Sequence, residues 1–202
     1  MKAANIPPAY PRVFIIAEAG VNHNGDMEMA QELIRVAKRA GADAIKFQTF
    51  KAEALVSKNA PKANYQNLTT DNGESQFDML KRLELTAEDH WTLMDACDKE
   101  GIEFLSTPFD LTSLDFLFSD LQLGQLKLSS GEVTNGPLLL AAANTGLPII
   151  LSTGMATMDE LEHALAVLAF GMCSNGFPEW ADARAAYESI EGRQALESRV
   201  RL

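Results

Sequence analysis

The sequence predicts a parallel α/β fold of the (β/α)8 TIM-barrel type, present as an incomplete barrel of about five βα units. Three observations predict it. First, the segments "KRAGADAIKFQTF", "DKEGIEFLSTPFD" and "NTGLPIILSTGMAT" share one pattern. Each ends a helix-like stretch at a glycine (Gly41, Gly101, Gly146), runs through a few apolar residues and finishes polar. Glycine suits the left-handed position after a helix, and a short apolar run flanked by helices reads as a buried parallel strand. Second, strands and helices alternate throughout, so every crossover is helical and the sheet is parallel. Third, the strands all end in polar groups: Glu18; Lys46 and Gln48; Ser106 and Thr107; Lys127, Ser130 and Glu132; Ser152 and Thr153. In a barrel every C-terminal strand end faces one central site. In a doubly wound sheet only those near the switch point do. No G-x-G-x-x-G follows the first strand, which further weakens the dinucleotide fold.

The elements follow in order. The first strand is "VFIIAEAG", 13–20. A helix over 27–39 is capped by Asp26 and carries an apolar face of Met29, Leu33, Val36, Ala37 and Ala40. The second strand holds "AIKFQTF". The polar stretch 51–85 reads as a long loop on the active face with a short helix near 76–82. A helix over 87–100 has a capping signal in Thr86 and Asp89. The third strand ends in "FLSTPFD", a helix spans 112–119, and the fourth strand lies within 124–132. A helix over 136–145 and the fifth strand, "IILST", come next. Thr157 and Glu160 have capping-box spacing for a helix over 158–170. Beyond it lie a turn and one or two helices, and no sixth strand completes. Such a chain is expected to leave open edges on its first and fifth strands.

Composition narrows the function. Hydrophobic residues make up 47%, enough for a packed core. The net charge of −11 argues against nucleic acid and against an anionic membrane surface as partners. "MKAANIPPAYPR" does not read as a signal peptide and no run of 18 apolar residues occurs, so a cytoplasmic protein is expected. Cys97 and Cys173 match no metal or redox spacing and read as small apolar helix residues.

Lys46 sits inside an apolar strand, where a lysine is costly unless it meets an anion. The structural alternative is an ion pair with a neighbouring strand's carboxylate. Gln48, two residues on, points to the same face. Lys127 is a second strand lysine, and two of them converging on one mouth make a compact anion site. With Thr107, Ser130 and Ser152 as hydroxyl donors, the fitting ligand is a phosphate or phosphate-carboxylate. Glu18 and Glu132 would neutralise the lysines, hold a metal's water or move protons. His90 and His163 read as surface or packing groups, and His23 as a turn stabiliser.

Together "FIIAEAGVNHNGD", "AIKFQTF", "FLSTPFD", "LKLSSGEVTN" and "IILSTGMAT" resemble the N-acetylneuraminate (sialic acid) synthase family, with its legionaminic and pseudaminic acid relatives. The resemblance runs through residues 13–170, and "SSGEVTN" looks more like the neuraminate and legionaminate branches. It implies a (β/α)8 barrel that condenses phosphoenolpyruvate with an N-acylated mannosamine-type sugar, with Mn2+ or Mg2+ polarising the aldehyde. By motif, Lys46, Thr107, Lys127, Ser130 and Ser152 would hold phosphoenolpyruvate. Gln48 and Glu132, joined by Asn72 from the long loop, would face the sugar, and Glu18 would lie near the metal's water. The family's metal-binding histidines lie on later strands, and none of the three histidines here matches them. The resemblance also implies a homodimer with a C-terminal antifreeze-like domain. Residues 1–202 are expected to be the N-terminal part of such a barrel, without that domain or the later strands and inactive alone. The alternatives are another phosphoenolpyruvate–aldose synthase, a Schiff-base aldolase using Lys46 or Lys127, and a non-catalytic binding fragment.

Overall fold

A computed structural model describes residues 13–58, 60 and 75–202. Strands β1 (Ile16–Gly20), β2 (Ala44–Thr49) and β3 (Glu103–Pro108) form one parallel sheet in chain order. Strands β4 (Leu126–Leu128), β5 (Ile149–Leu151) and β6 (Val200–Arg201) form a second. The β4 strand lies beside β3, and Gln125 Nε2 donates to Glu103 Oε1 across the junction at 2.7 Å.

The helices lie between the strands as the alternation requires: α1 (Met27–Arg39), α2 (Ala52–Leu55), α3 (Gln76–Leu83), α4 (Ala87–Glu100), α5 (Leu111–Asp115), α6 (Gly136–Asn144), α7 (Met158–Cys173), α8 (Trp180–Glu188) and α9 (Ile190–Arg199). Their starts follow the capping signals. Asp26 Oδ1 accepts from the amides of Glu28 and Met29 at 2.8 and 3.1 Å. Thr86 with Asp89, and Thr157 with Glu160, form reciprocal capping boxes. Asn135 caps α6, whose first turn holds Pro137. Gly41, Gly101 and Gly146 all adopt positive φ, 86°, 67° and 75°.

Five expectations need correction. The ladder of β1 starts at Ile16, because Asp43 Oδ2 takes the Ile15 amide before β2 begins; Val13, Phe14 and Ile15 are exposed. The buried stripe of α1 is Ala30, Ile34 and Ala37, while Met29 and Val36 are outside. Of the expected face, Ala37 is buried and Leu33 packs against the core, whereas Met29, Val36 and Ala40 are exposed. The helix expected at 112–119 is α5 followed by a π turn, Phe116–Asp120, closed by the Leu121 amide on the Phe116 carbonyl. The fourth strand pairs only over 126–128, and Ser130–Glu132 is a 3-10 turn. The outer edge of the fifth strand is not open: Ile149 and Ile150 pair with Val200 and Arg201 of β6.

The core lies outside the strands, under the helices. Ile34, Ile45, Phe47, Leu93 and Leu117 centre one cluster between β1–β3 and helices α1 and α4. Leu126, Leu128, Leu139, Ile149 and Leu168 centre the other, under α6, α7 and α9. A third, smaller cluster joins Phe50, Met79 and Leu83 to Val21 and Phe109, which seats α3 at the C-terminal ends of the strands. Side chains on the opposite face of the strands are free to build a site.

Candidate active site

Successive strand residues alternate faces. Phe47 and Phe104 point into the helical core, so Lys46, Gln48 and Thr107 point the other way, across from Glu18. Glu18, Lys46, Gln48, Thr107, Lys127, Ser130 and Ser152 all line one cleft of about 350 Å³. Gly20, Val21, Asn22, Phe109 and Ser129 complete its wall. Those five were missed by sequence reasoning; Asn22 and Ser129 lie beside residues that the motifs single out.

Lys46 Nζ meets both carboxylate oxygens of Glu18, at 2.6 and 2.9 Å. The structural alternative for Lys46 is therefore realised in the free cleft, with the lysine buried and Glu18 half exposed. Lys127 Nζ donates to the Leu128 carbonyl at 2.7 Å. Its pKa falls to about 8: burial is the main cause, the Lys46 charge adds to it, and Glu18 opposes it. Two ammonium groups in one cleft, with a single carboxylate that pairs with Lys46, form a site complementary to an added anion. Thr107 Oγ1 is buried and has no hydrogen-bond partner in the free cleft. A hydroxyl left that way is costly unless a ligand meets it. Gly20 sits at φ 53°, and a Cβ there would come 3.1 Å from Glu18 Oε1. Glycine thus gives the Glu18 carboxylate room to reach Lys46.

Glu132 is not among the residues that line the cleft. Its carboxylate accepts from Asn135 Nδ2 at 2.6 Å, beside the cap of α6. A 3-10 turn rotates each residue by about 120°, so Ser130 faces the cleft and Glu132, two residues on, does not. Asn72 lies outside the described residues.

The histidines stay away from the cleft wall. His23 Nδ1 accepts from the Gly25 amide at 3.1 Å, which stabilises the turn as expected. His90 is buried in packing, and His163 stacks on Trp180 at 4.1 Å. Cys97 is buried and its thiol is pushed up to about 12, which makes it inert, whereas Cys173 is exposed. Among the described residues no cluster of His, Cys, Asp and Glu could hold a metal, and Glu18 is the cleft's one carboxylate. No helix among them is long and apolar enough to cross a membrane.

A parallel α/β scaffold that gathers two lysines and several hydroxyls at the ends of its strands has donor chemistry suited to a small, multiply charged anion. The chain belongs to the NeuB family, which residues 33–189 match. It is 53% identical over 152 residues to the N,N'-diacetyllegionaminic acid synthase of Legionella pneumophila, covering 75% of this chain and 42% of that protein. It is 51% identical over 165 residues to the enzyme of the same name from Campylobacter jejuni, covering 82% and 48%. In structure it resembles the N-acetylneuraminic acid (sialic acid) synthetase of Leptospira borgpetersenii, solved with citrate. There the TM-score is 0.66 and the identity 34%, over 80% of this chain and 52% of that one. The chain spans about half the length of the curated relatives it matches.

Proposed function

We propose that this chain forms the phosphoenolpyruvate-binding part of a (β/α)8-barrel synthase that makes a nonulosonic acid. The observation that carries the proposal is the convergence of Lys46, Lys127 and the unpartnered Thr107 hydroxyl in one cleft. Phosphoenolpyruvate carries a phosphate and a carboxylate, one for each ammonium group, with Ser130, Ser152 and Thr107 as neutral donors. The cleft then fixes the enol carbon C3 toward an incoming aldehyde. C3 bonds to the aldehyde carbon of an open-chain N-acylated mannosamine-type sugar, whose oxygen takes a proton. Water adds to C2 and loses one proton; the C2–O bond to phosphate then breaks as the remaining hydroxyl proton passes to the departing phosphate and C2 becomes the keto carbon. The products are a 2-keto acid and inorganic phosphate. When the anion takes Lys46, Glu18 is released beside C2, where its carboxylate accepts the water's proton. Gln48 faces the sugar. Among the described residues the cleft offers a divalent cation Glu18 alone, too few donors to hold one.

The two legionaminic acid synthases favour a particular sugar. Their product name carries two N-acetyl groups, and phosphoenolpyruvate supplies neither, so the acceptor carries both. Mixing the intact enzyme with phosphoenolpyruvate and a di-N-acetylated hexosamine should release phosphate faster than with N-acetylmannosamine. No phosphate from either sugar would overturn the proposal.

One observation favours a second reading. A lysine brought down to about 8, as Lys127 is, suits Schiff-base chemistry. Near neutral pH it is still mostly protonated, which suits anion binding better. Borohydride trapping of a keto acid on Lys127 would decide for the aldolase.

A further inference from the structure

The core-facing sides of β2 and β3 hold a second polar constellation. Thr49, Ser106 and His90 are 5%, 0% and 1% exposed. Thr49 Oγ1 lies 2.6 Å from Ser106 Oγ and 2.8 Å from His90 Nε2. His90 Nδ1 lies 2.7 Å from the Thr86 carbonyl. That carbonyl can only accept, so Nδ1 donates. Burial lowers the pKa of His90, so the neutral ring prevails and Nε2 accepts from Thr49. The chain then has one direction: Ser106 donates to Thr49, Thr49 to His90, and His90 to the α4 cap residue. The ring also stands edge-on to Phe116 of the π turn at 5.2 Å, and to Phe104 of β3 at 6.4 Å.

This constellation backs directly onto the cleft. Thr49 follows Gln48, Ser106 precedes Thr107, and Gln48 is paired with Thr107 in the ladder. Because side chains alternate, a bond between Thr49 and Ser106 on one face sets the spacing of Gln48 and Thr107 on the other. On one side the chain packs against Phe47 and Phe104, and on the other Thr49 and His90 line a cavity of about 260 Å³ with Lys51, Ser113 and Asp115. A trio of apolar side chains of similar volume would pack there without desolvating four polar groups. Stability therefore does not call for the chain, whereas a defined geometry does.

We propose that Ser106, Thr49 and His90 are positioning residues for the cleft, acting through Gln48 and Thr107. The proposal rests on the reading of that cleft as the phosphoenolpyruvate site. It is tested in the intact enzyme with Thr49→Val, which keeps the branched shape and removes the hydroxyl, and with Thr49→Ser, which keeps the hydroxyl. Phosphoenolpyruvate affinity is measured by calorimetry, kcat and KM by phosphate release, and stability by melting. Thr49→Val should bind about tenfold more weakly and raise KM more than it lowers kcat, as a small misplacement of ligand groups does. Thr49→Ser should stay within about twofold of the parent. A Thr49→Val protein that melts lower but binds phosphoenolpyruvate as the parent does overturns the proposal. So does a Thr49→Ser protein as weak as Thr49→Val. Ser106→Ala removes only the terminal donor, and it carries the same test if Thr49→Val does not fold. If the parent itself does not bind phosphoenolpyruvate, the reading of the cleft fails, and this inference fails with it.

Discussion

Lys127 carries the cleft's pH dependence. Its ammonium titrates near 8 in the free protein and is needed to meet an anion. Phosphoenolpyruvate affinity should therefore hold below pH 8 and fall above it, approaching about tenfold per pH unit. Lys127→Met should bind more weakly and show a flat profile over the same range. Calorimetry between pH 7 and pH 9 checks this, and a parent without a break contradicts it. The same depressed pKa has a stability consequence. Below about 8 the lysine is charged in both folded and unfolded chains, and folding bears the full cost of burying the charge. That cost is relieved as pH rises from about 8 toward the ordinary 10.5. Lys127→Met should raise Tm at pH 7, and the gain should shrink above pH 8. Glu18 supplies a second test, because in the free cleft it occupies the ammonium that an incoming anion needs. Glu18→Gln should bind phosphoenolpyruvate about two- to fivefold more tightly, the scale of a half-exposed ion pair, while turning over more slowly. Weaker binding would show that Glu18 supports the anion rather than competing with it. Most of these residues are legible in the sequence, because a lysine or a hydroxyl at the end of an apolar strand has one face to point to. Glu132 is not, since a 3-10 turn breaks the alternation on which that reasoning rests. The Ser106–Thr49–His90 chain is not legible either, because no local spacing brings residues 49, 90 and 106 together.

At the scale of elements, the helix starts are where local sequence decides most. Thr157→Ala removes the hydroxyl's bonds with the Glu160 amide and carboxylate, and leaves the Thr157 amide donating to that carboxylate. It should cost about 1 kcal/mol, lowering Tm by about 2–4 °C for a chain of this size, and Thr157→Ser should restore it. An unchanged Tm would reduce the box to decoration. The turn between β1 and α1 is more demanding. Gly25 holds φ 81°, and a Cβ there would lie 2.7 Å from the Arg82 carbonyl of α3. Gly25→Ala should therefore cost more than the cap, about 1–3 kcal/mol, and should loosen α3 from the site; equal melting of the two variants contradicts this. Caps and left-handed glycines are local, so the sequence shows them directly. The phase of α1 is not local. Met29 and Val36 are apolar enough to suggest a core face, and only packing against neighbours such as α4 selects Ala30 and Ile34 to join Ala37. The break of the fifth helix into a π turn has the same origin, since Phe116 takes its place against His90.

At the scale of the molecule, a chain of net charge −11 gathers two lysines at the ends of its parallel strands. The global field opposes an anion, so attraction has to come from short-range contacts within the cleft. Strands β1 to β3 and β4 to β6 follow chain order in their two parallel sheets, as the strand–helix alternation requires. The parallel fold was legible because alternating strands and helices allow few topologies. The division into two hydrogen-bonded sheets was not, since strand-to-strand registry at the β3–β4 junction leaves no mark in composition. The most direct measurement is calorimetric titration of phosphoenolpyruvate into the intact enzyme, its Lys46→Met and Lys127→Met variants and the double variant. Each single variant should lose about 1.5–3 kcal/mol of binding, the worth of a charge-assisted contact, and the double variant should show no binding. Unchanged affinity in both single variants would contradict the assignment of this cleft to phosphoenolpyruvate.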